Sequence, residues 1–190
     1  MKEKSISGIY FLAKTFGYDQ GGNSNKETDA NGKITNIVYD QYGRIISRTT
    51  PEISTTYFYN ADGLLQAETS DNGTGKNITY DALGRTATFK ESGADGKWLQ
   101  KTYTYAQEQL STVSYTTQSG AITTEANGYQ NGYLKNITLT GGQVIYDLQE
   151  ENSLGRPTKV LSGPVTRNYT YDQYGMPTGR SAQSQGQEST

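Results

Sequence analysis

Ile37-Val38-Tyr39-Asp40-Gln41-Tyr42-Gly43-Arg44-Ile45-Ile46 reads as a strand, a tight turn and a second strand. Ile37 and Tyr39 alternate onto one face, as the two-residue period of a strand requires. The Asp40 side chain can accept hydrogen bonds from the turn backbone, and Gly43 can take a positive φ three residues later. Together these features describe a type I turn closed by a glycine bulge, a common hairpin connection.

The phrase recurs. Tyr57-Phe58-Tyr59-Asn60-Ala61-Asp62-Gly63-Leu64, Ile78-Thr79-Tyr80-Asp81-Ala82-Leu83-Gly84-Arg85 and Tyr169-Thr170-Tyr171-Asp172-Gln173-Tyr174-Gly175-Met176 are clear copies. Thr28-Asp29-Ala30-Asn31-Gly32-Lys33, Tyr129-Gln130-Asn131-Gly132-Tyr133 and Glu151-Asn152-Ser153-Leu154-Gly155-Arg156 are weaker ones. The anchor glycines Gly43, Gly63 and Gly84, and then Gly132, Gly155 and Gly175, follow one another at intervals of about twenty residues, the mark of a repeat architecture. Tyr103-Thr104-Tyr105-Ala106-Gln107-Glu108-Gln109-Leu110 fits the gap between the two series, with both turn residues lost.

The pattern resembles the YD repeat of the Rhs family: an aromatic, any residue, Tyr-Asp, two residues, then Gly-Arg. Tyr39-Asp40 with Gly43-Arg44 and Tyr80-Asp81 with Gly84-Arg85 match it well, with Ile37 and Ile78 at the aromatic position. Tyr171-Asp172 with Gly175 places Met176 where Arg is usual, and Tyr59-Asn60 with Gly63 places Leu64 there. The resemblance covers roughly residues 28 to 178. It implies a curling β-sheet of the kind that builds shells in bacterial polymorphic toxins and toxin complexes, and that occurs in wall-associated proteins and teneurins. It also implies a secreted or cell-envelope location. The family's aspartate-dependent self-cleavage motif has no match here, so neither toxin cleavage nor toxin activity is carried over.

Composition alone points two ways. Leu, Ile, Val and Phe number only 31 in 190 residues, which by itself would suggest disorder. Opposing this, the net charge is only -2 and there are 16 tyrosines, each a large apolar ring with a polar tip. The expectation is a folded all-β protein with a thin, tyrosine-rich core. Cysteine is absent, which removes disulfides and thiolate metal sites. No run approaches the ~20 apolar residues of a membrane helix. Ile6 to Ala13 is too short for a signal peptide and lacks a small-residue cleavage site. The charge balance offers no basic footprint for nucleic acid.

Ser5 to Phe16 is the longest apolar stretch and reads as a strand; Gly17 to Asn25 reads as a polar loop. Asn72-Gly73, Asp95-Gly96, Gly141-Gly142 and Gly163-Pro164 supply a second set of turns between the repeats. The chain therefore reads as an antiparallel hairpin meander with two strands per repeat, about 14 to 16 strands in all. Strands twist, so a sheet of that size is expected to curl into an open spiral or a hollow barrel-like sheet. Residues 1–178 are read as one domain with repeats from about residue 28, and 179–190 as a disordered polar tail. Ile6 to Lys14 is a poor sequence to leave as a bare edge. Pairing with Val165 to Tyr171, stacking with a second copy, or further repeats of a longer chain would cover it, with closure or self-association favoured.

Histidine is absent, which removes the usual triads and histidine metal sites. Most aspartates occupy turn positions that need Asp for backbone reasons. Gly73-Thr74-Gly75-Lys76 lacks the spacing of a phosphate loop, and Asp29-Ala30-Asn31-Gly32 lacks the distal Glu of a calcium loop. No catalytic residue, metal ligand or cofactor is assigned, and an enzyme is not expected. Tyr39, Tyr59, Tyr80, Tyr105 and Tyr171 are expected to pack as a ladder joining repeat to repeat. Arg44, Arg85 and Arg156 are placed to pair with a carboxylate or tyrosine of the next repeat. Trp98 is expected in the core. Tyr42 and Tyr174, inside turns, are the candidates for facing a ligand. Two functions follow: a structural repeat module of a β-shell or surface scaffold, or a glycan- or peptide-binding module.

Overall fold

The computed structural model describes residues 2–4, 10–12 and 14–184. All its elements are strands: β1 (Lys2–Lys4), β2 (Tyr10–Leu12), β3 (Lys14–Tyr18), β4 (Ser24–Asp29), β5 (Ile34–Tyr39), β6 (Ile45–Thr49), β7 (Ser54–Tyr59), β8 (Leu65–Ser70), β9 (Gly75–Tyr80), β10 (Thr86–Ser92), β11 (Trp98–Ala106), β12 (Gln109–Thr117), β13 (Gly120–Gln130), β14 (Tyr133–Leu139), β15 (Val144–Glu151), β16 (Pro157–Ser162), β17 (Val165–Tyr171) and β18 (Pro177–Ser184). β1 and β2 pair with each other, and the other 16 strands follow in unbroken sequence order from β3 to β18. This is the antiparallel meander that the hairpin repeats predict. The order is open, with β3 and β18 at its ends, so the barrel alternative is excluded. Among the described residues there is no helix long and apolar enough to cross a membrane. The chain divides into two compact units, Met1–Gln100 and Lys101–Thr190.

In the first unit the turns alternate between two edges. Asp19, Asp40, Asn60 and Asp81 open the turns on one edge, here termed the YD edge; Asp29, Thr50, Ser70 and Gly93 open those on the other. The Asp29 turn, a weak copy by sequence, thus lies opposite the rest of its series. The first YD turn is instead Tyr18-Asp19-Gln20-Gly21-Gly22, within the stretch that reads as a polar loop. Asp19 N donates to the Asn23 carbonyl at 2.9 Å and Gly22 N to the Asp19 carbonyl at 3.1 Å. Those two bonds define the same turn at Asp29, Asp40, Asn60, Ser70, Asp81 and Gly93. One connection therefore serves both edges.

Just past each YD turn the pairing slips. Tyr39 faces Ile45 while Val38 faces Ser47, so Ile46 has no partner. Tyr59 faces Leu65 while Phe58 faces Ala67, which leaves Gln66 over. These are β-bulges, which bend a strand and turn its side chains. Between hairpins the ladders stop short of the YD edge: β4–β5 ends at Lys26 with Asn36, β6–β7 at Ser47 with Thr56, and β8–β9 at Ala67 with Asn77.

The second unit repeats this plan with more variation. Leu139, Asn152 and Asp172 open the same two-bond turn. Gln107 and Asn131, at φ 57° and 52°, carry the tighter turns that stand where repeats have lost their Asp. β17 slips against β18 as in the first unit, with Tyr171 opposite Pro177 and Thr170 opposite Gly179.

The core is as thin as the composition requires. Ile37, Val113, Leu148 and Val160 are its buried apolar residues, joined by Thr35 and Thr55, and no large side chain is fully enclosed among the described residues. Trp98 is only half-buried, with the Lys90 ammonium 4.2 Å from its ring centre.

Two expectations about the ends are corrected. Val165–Tyr171 does not receive the N-terminal stretch, because β17 already has β16 and β18 on its two sides. That stretch is not one strand: β2 pairs with β1 and β3 with β4, while residues 5–9 and 13 lie outside the described residues. Nor does order stop at Gly179. Residues 177–184 form β18, held by backbone pairing to β17 that needs no apolar side chains. Residues 185–190 lie outside the described residues.

Candidate functional site

The recurring residues of the YD edge come together as a device for joining one hairpin to the next. Within a turn, Asp40 Oδ1 accepts from Tyr42 N at 2.9 Å and Arg44 N at 3.0 Å. Its Oδ2 accepts from Arg44 Nε at 2.7 Å and lies 2.6 Å from Nη2. Asp81 holds Leu83 N, Arg85 N and the Arg85 guanidinium in the same way. Asn60 keeps only the backbone bonds, to Asp62 N and Leu64 N, and Leu64 stands where the arginine would be. Desolvation pushes the Asp40 carboxyl up, but hydrogen bonds from the Arg44 backbone, its guanidinium and Tyr42 N outweigh this and hold it below its ordinary 3.8. The same opposition, with the same outcome, acts on Asp81.

Between hairpins the tyrosine hydroxyl does the joining. Tyr39 donates to the Ser24 carbonyl at 2.9 Å, Tyr59 to Ile45 at 2.8 Å, and Tyr80 to Leu65 at 2.7 Å. In the second unit Tyr129 donates to Leu110 at 2.9 Å and Tyr171 to Pro157 at 2.9 Å. Each acceptor is at or next to the start of the strand that leaves the previous YD turn. It lies past the last ladder pair of the two strands it bridges, where backbone bonding has stopped. These tyrosines are therefore struts from side chain to backbone.

The residue after the anchor glycine makes the second joint. The Arg44 guanidinium lies 4.5 Å from the ring centre of Tyr59 in the next repeat and 5.1 Å from that of Tyr42 in its own turn. Its carboxylate is thus in its own turn and its tyrosine in the next. Arg44 Nη1 also covers Gly63, 3.4 Å from where a Cβ would stand. Leu64 covers Gly84 in the same way, at 3.9 Å. In the second unit Arg156 lies 5.9 Å from the Tyr171 ring centre, and its guanidinium fills the place where a Cβ of Gly175 would be. Here the turn carries Asn152, which bonds Leu154 N and Arg156 N but has no second carboxylate oxygen. Arg156 Nη1 is buried without a hydrogen-bond partner.

Tyr42 and Tyr174 lie inside the turns, their backbone N–H groups bonded to Asp40 and Asp172. They are 74% and 78% exposed, and Tyr42 borders an open cleft of about 600 Å³ with Arg44 and the Asn60–Gly63 turn. Gly132 and Gly155 lie in turns of the second unit. Among the described residues no group of three carboxylates could hold a metal ion. Sequence reasoning missed the carbonyl acceptors, which leave no trace in residue type. It also missed Tyr18-Asp19 with Gly22, which stepping back one period from Gly43 would have found.

No family model matches the sequence, and no curated protein does. Solved structures do. A chain of the Photorhabdus luminescens Tc holotoxin pore, with a mutated TccC3, matches at TM-score 0.58 and 16% identity over 91% of this chain. A TcdB2-TccC3-TEV crystal structure matches at 0.59 and 16% over 97%. TcdB2-TccC3 without its hypervariable C-terminal region matches at 0.58 and 14% over 88%. This chain spans only 11% to 12% of the length of those chains. It shares their fold.

Proposed function

We propose that this chain is a non-enzymatic structural module, a segment of a secreted or cell-envelope β-shell or surface scaffold. The observation that carries this reading is how the recurring polar residues are used. The turn aspartates hold backbone and arginine, the tyrosine hydroxyls hold carbonyls of the preceding hairpin, and the arginines cover the next glycine. Such contacts make neighbouring repeats depend on each other, as in other repeat proteins. Further repeats of a longer chain, or a second copy, would extend the same device. Incubation with polysaccharide and peptide panels is expected to give no turnover. Turnover abolished by Asp40→Asn or Asp81→Asn would overturn the non-enzymatic reading.

A second reading rests on the exposure of Tyr42 and Tyr174: recognition of a glycan or peptide through turn aromatics. Saturable binding on a glycan or peptide array, lost in Tyr42→Ala or Tyr174→Ala, would favour it over the scaffold alone.

A further inference from the structure

Arg44 and Arg85 are ion-paired to turn aspartates, Arg48 lies 3.7 Å from Glu27, and Arg156 stacks against Tyr171. Arg167 and Arg180 are different. No carboxylate among the described residues reaches ion-pair distance of either guanidinium. The register places the two together. Arg167 pairs across from Ala182, and Tyr169 across from Arg180, so all four side chains share one face of β17–β18. The arginines are then diagonal neighbours, about 7 Å apart at their Cβ atoms. On the other side of Arg167 stands Val160, which is buried and apolar. Arg167, Tyr169, Arg180, Ser181 and Ala182 line a cleft of about 340 Å³.

Two like charges side by side on a sheet repel one another unless something neutralises them. A guanidinium offers planar, paired donors that match the oxygens of a carboxylate or sulfate. Tyr169 adds a half-buried ring with a polar tip between them, suited to lie against a sugar ring. The volume is that of a small-ligand site. We infer that Arg167, Tyr169 and Arg180 form a binding site for an acidic saccharide, one carrying carboxylate or sulfate groups on the sugar ring. This site is separate from the turn tyrosines and does not depend on the scaffold reading.

The test is calorimetric titration of the full chain with an oligogalacturonate and with a heparin-derived oligosaccharide. A neutral maltooligosaccharide and free acetate and sulfate serve as comparisons. The expected result is saturable binding of at least one acidic oligosaccharide that weakens with added salt. It should fall at least about tenfold in Arg167→Gln and in Arg180→Gln, since each removes a charge-assisted contact. Arg48→Gln, in the first unit, should bind as the unaltered protein does. Arg180 is exposed on the last strand, so its variant should melt unchanged and separate binding from folding. Absence of saturable binding would overturn the assignment and leave Arg180 as a charge that keeps the edge strand β18 from pairing. Equal binding of the neutral sugar or the free anions would also overturn it, as would full binding by the Arg167→Gln variant.

Discussion

At the scale of single residues, the turn depends on two features with separable costs. Gly43 has φ 76°, and a Cβ there would meet nothing within 4 Å, so any loss on substitution is backbone strain alone. Gly43→Val should therefore destabilise by more than ~1 kcal/mol, while Gly43→Asn should cost much less, because Asn tolerates the left-handed region. Denaturant melts of the two variants would show it; equal losses would argue against strain as the cause. The second feature is the turn carboxylate. Asp40 and Asp81 titrate below their ordinary value when folded, so their contribution is complete above the unfolded value and is lost as pH falls through the folded one. Stability should be flat from neutrality to about pH 5 and decline below about pH 4. Asp40→Asn with Asp81→Asn should flatten that decline. An unchanged acid limb would contradict the assignment.

At the scale of the hairpin, the paired residues of a turn match in three repeats and mismatch in two. Asp40 has Arg44, Asp81 has Arg85, and Asn60 has the uncharged Leu64. Asn152 leaves Arg156 without a carboxylate, and Asp172 stands with Met176. Asn152→Asp should restore the bridge seen at Asp40 and stabilise by up to about 1 kcal/mol, the ordinary limit for a partly exposed pair. A thermal melt would register it as a rise; no change or a fall would contradict this geometry. The turn itself was legible in the sequence, because Asp at the first position and Gly at the fourth are there for local reasons. The joint between hairpins was less so. Tyr59 announces an aromatic on a strand face, but its partner is a backbone carbonyl, and every residue has one of those. The opposite-edge turns at Asn72-Gly73 and Asp95-Gly96 were legible as turns, but not as the same two-bond connection. Thr74 N and Lys97 N bond to Asn72 and Asp95 at the third position, so the acceptor shifts while the turn stays the same.

At the scale of the whole molecule, the strand order follows from hairpin after hairpin, and this too was legible, with about 14 to 16 strands expected and 16 in the large sheet. What the sequence did not show was how so few aliphatic residues hold them. The core contains Ile37, Val113, Leu148 and Val160 with two threonines, too little to bind many strands by burial alone. The remaining cohesion falls to the tyrosine struts, which act where the ladders between hairpins have already ended. The most direct test is equilibrium unfolding of the triple variant Tyr39→Phe, Tyr59→Phe and Tyr80→Phe. It keeps every ring and removes three hydroxyl bonds within the first unit. Tyr57→Phe is the comparison: it lies on the same face as Tyr59, and its hydroxyl has no hydrogen-bond partner among the described residues. The expected result is a loss of about 0.5 to 1.5 kcal/mol for each strut, close to additive, with little change for Tyr57→Phe. A triple variant as stable as the unaltered protein, or no less stable than Tyr57→Phe, would contradict it.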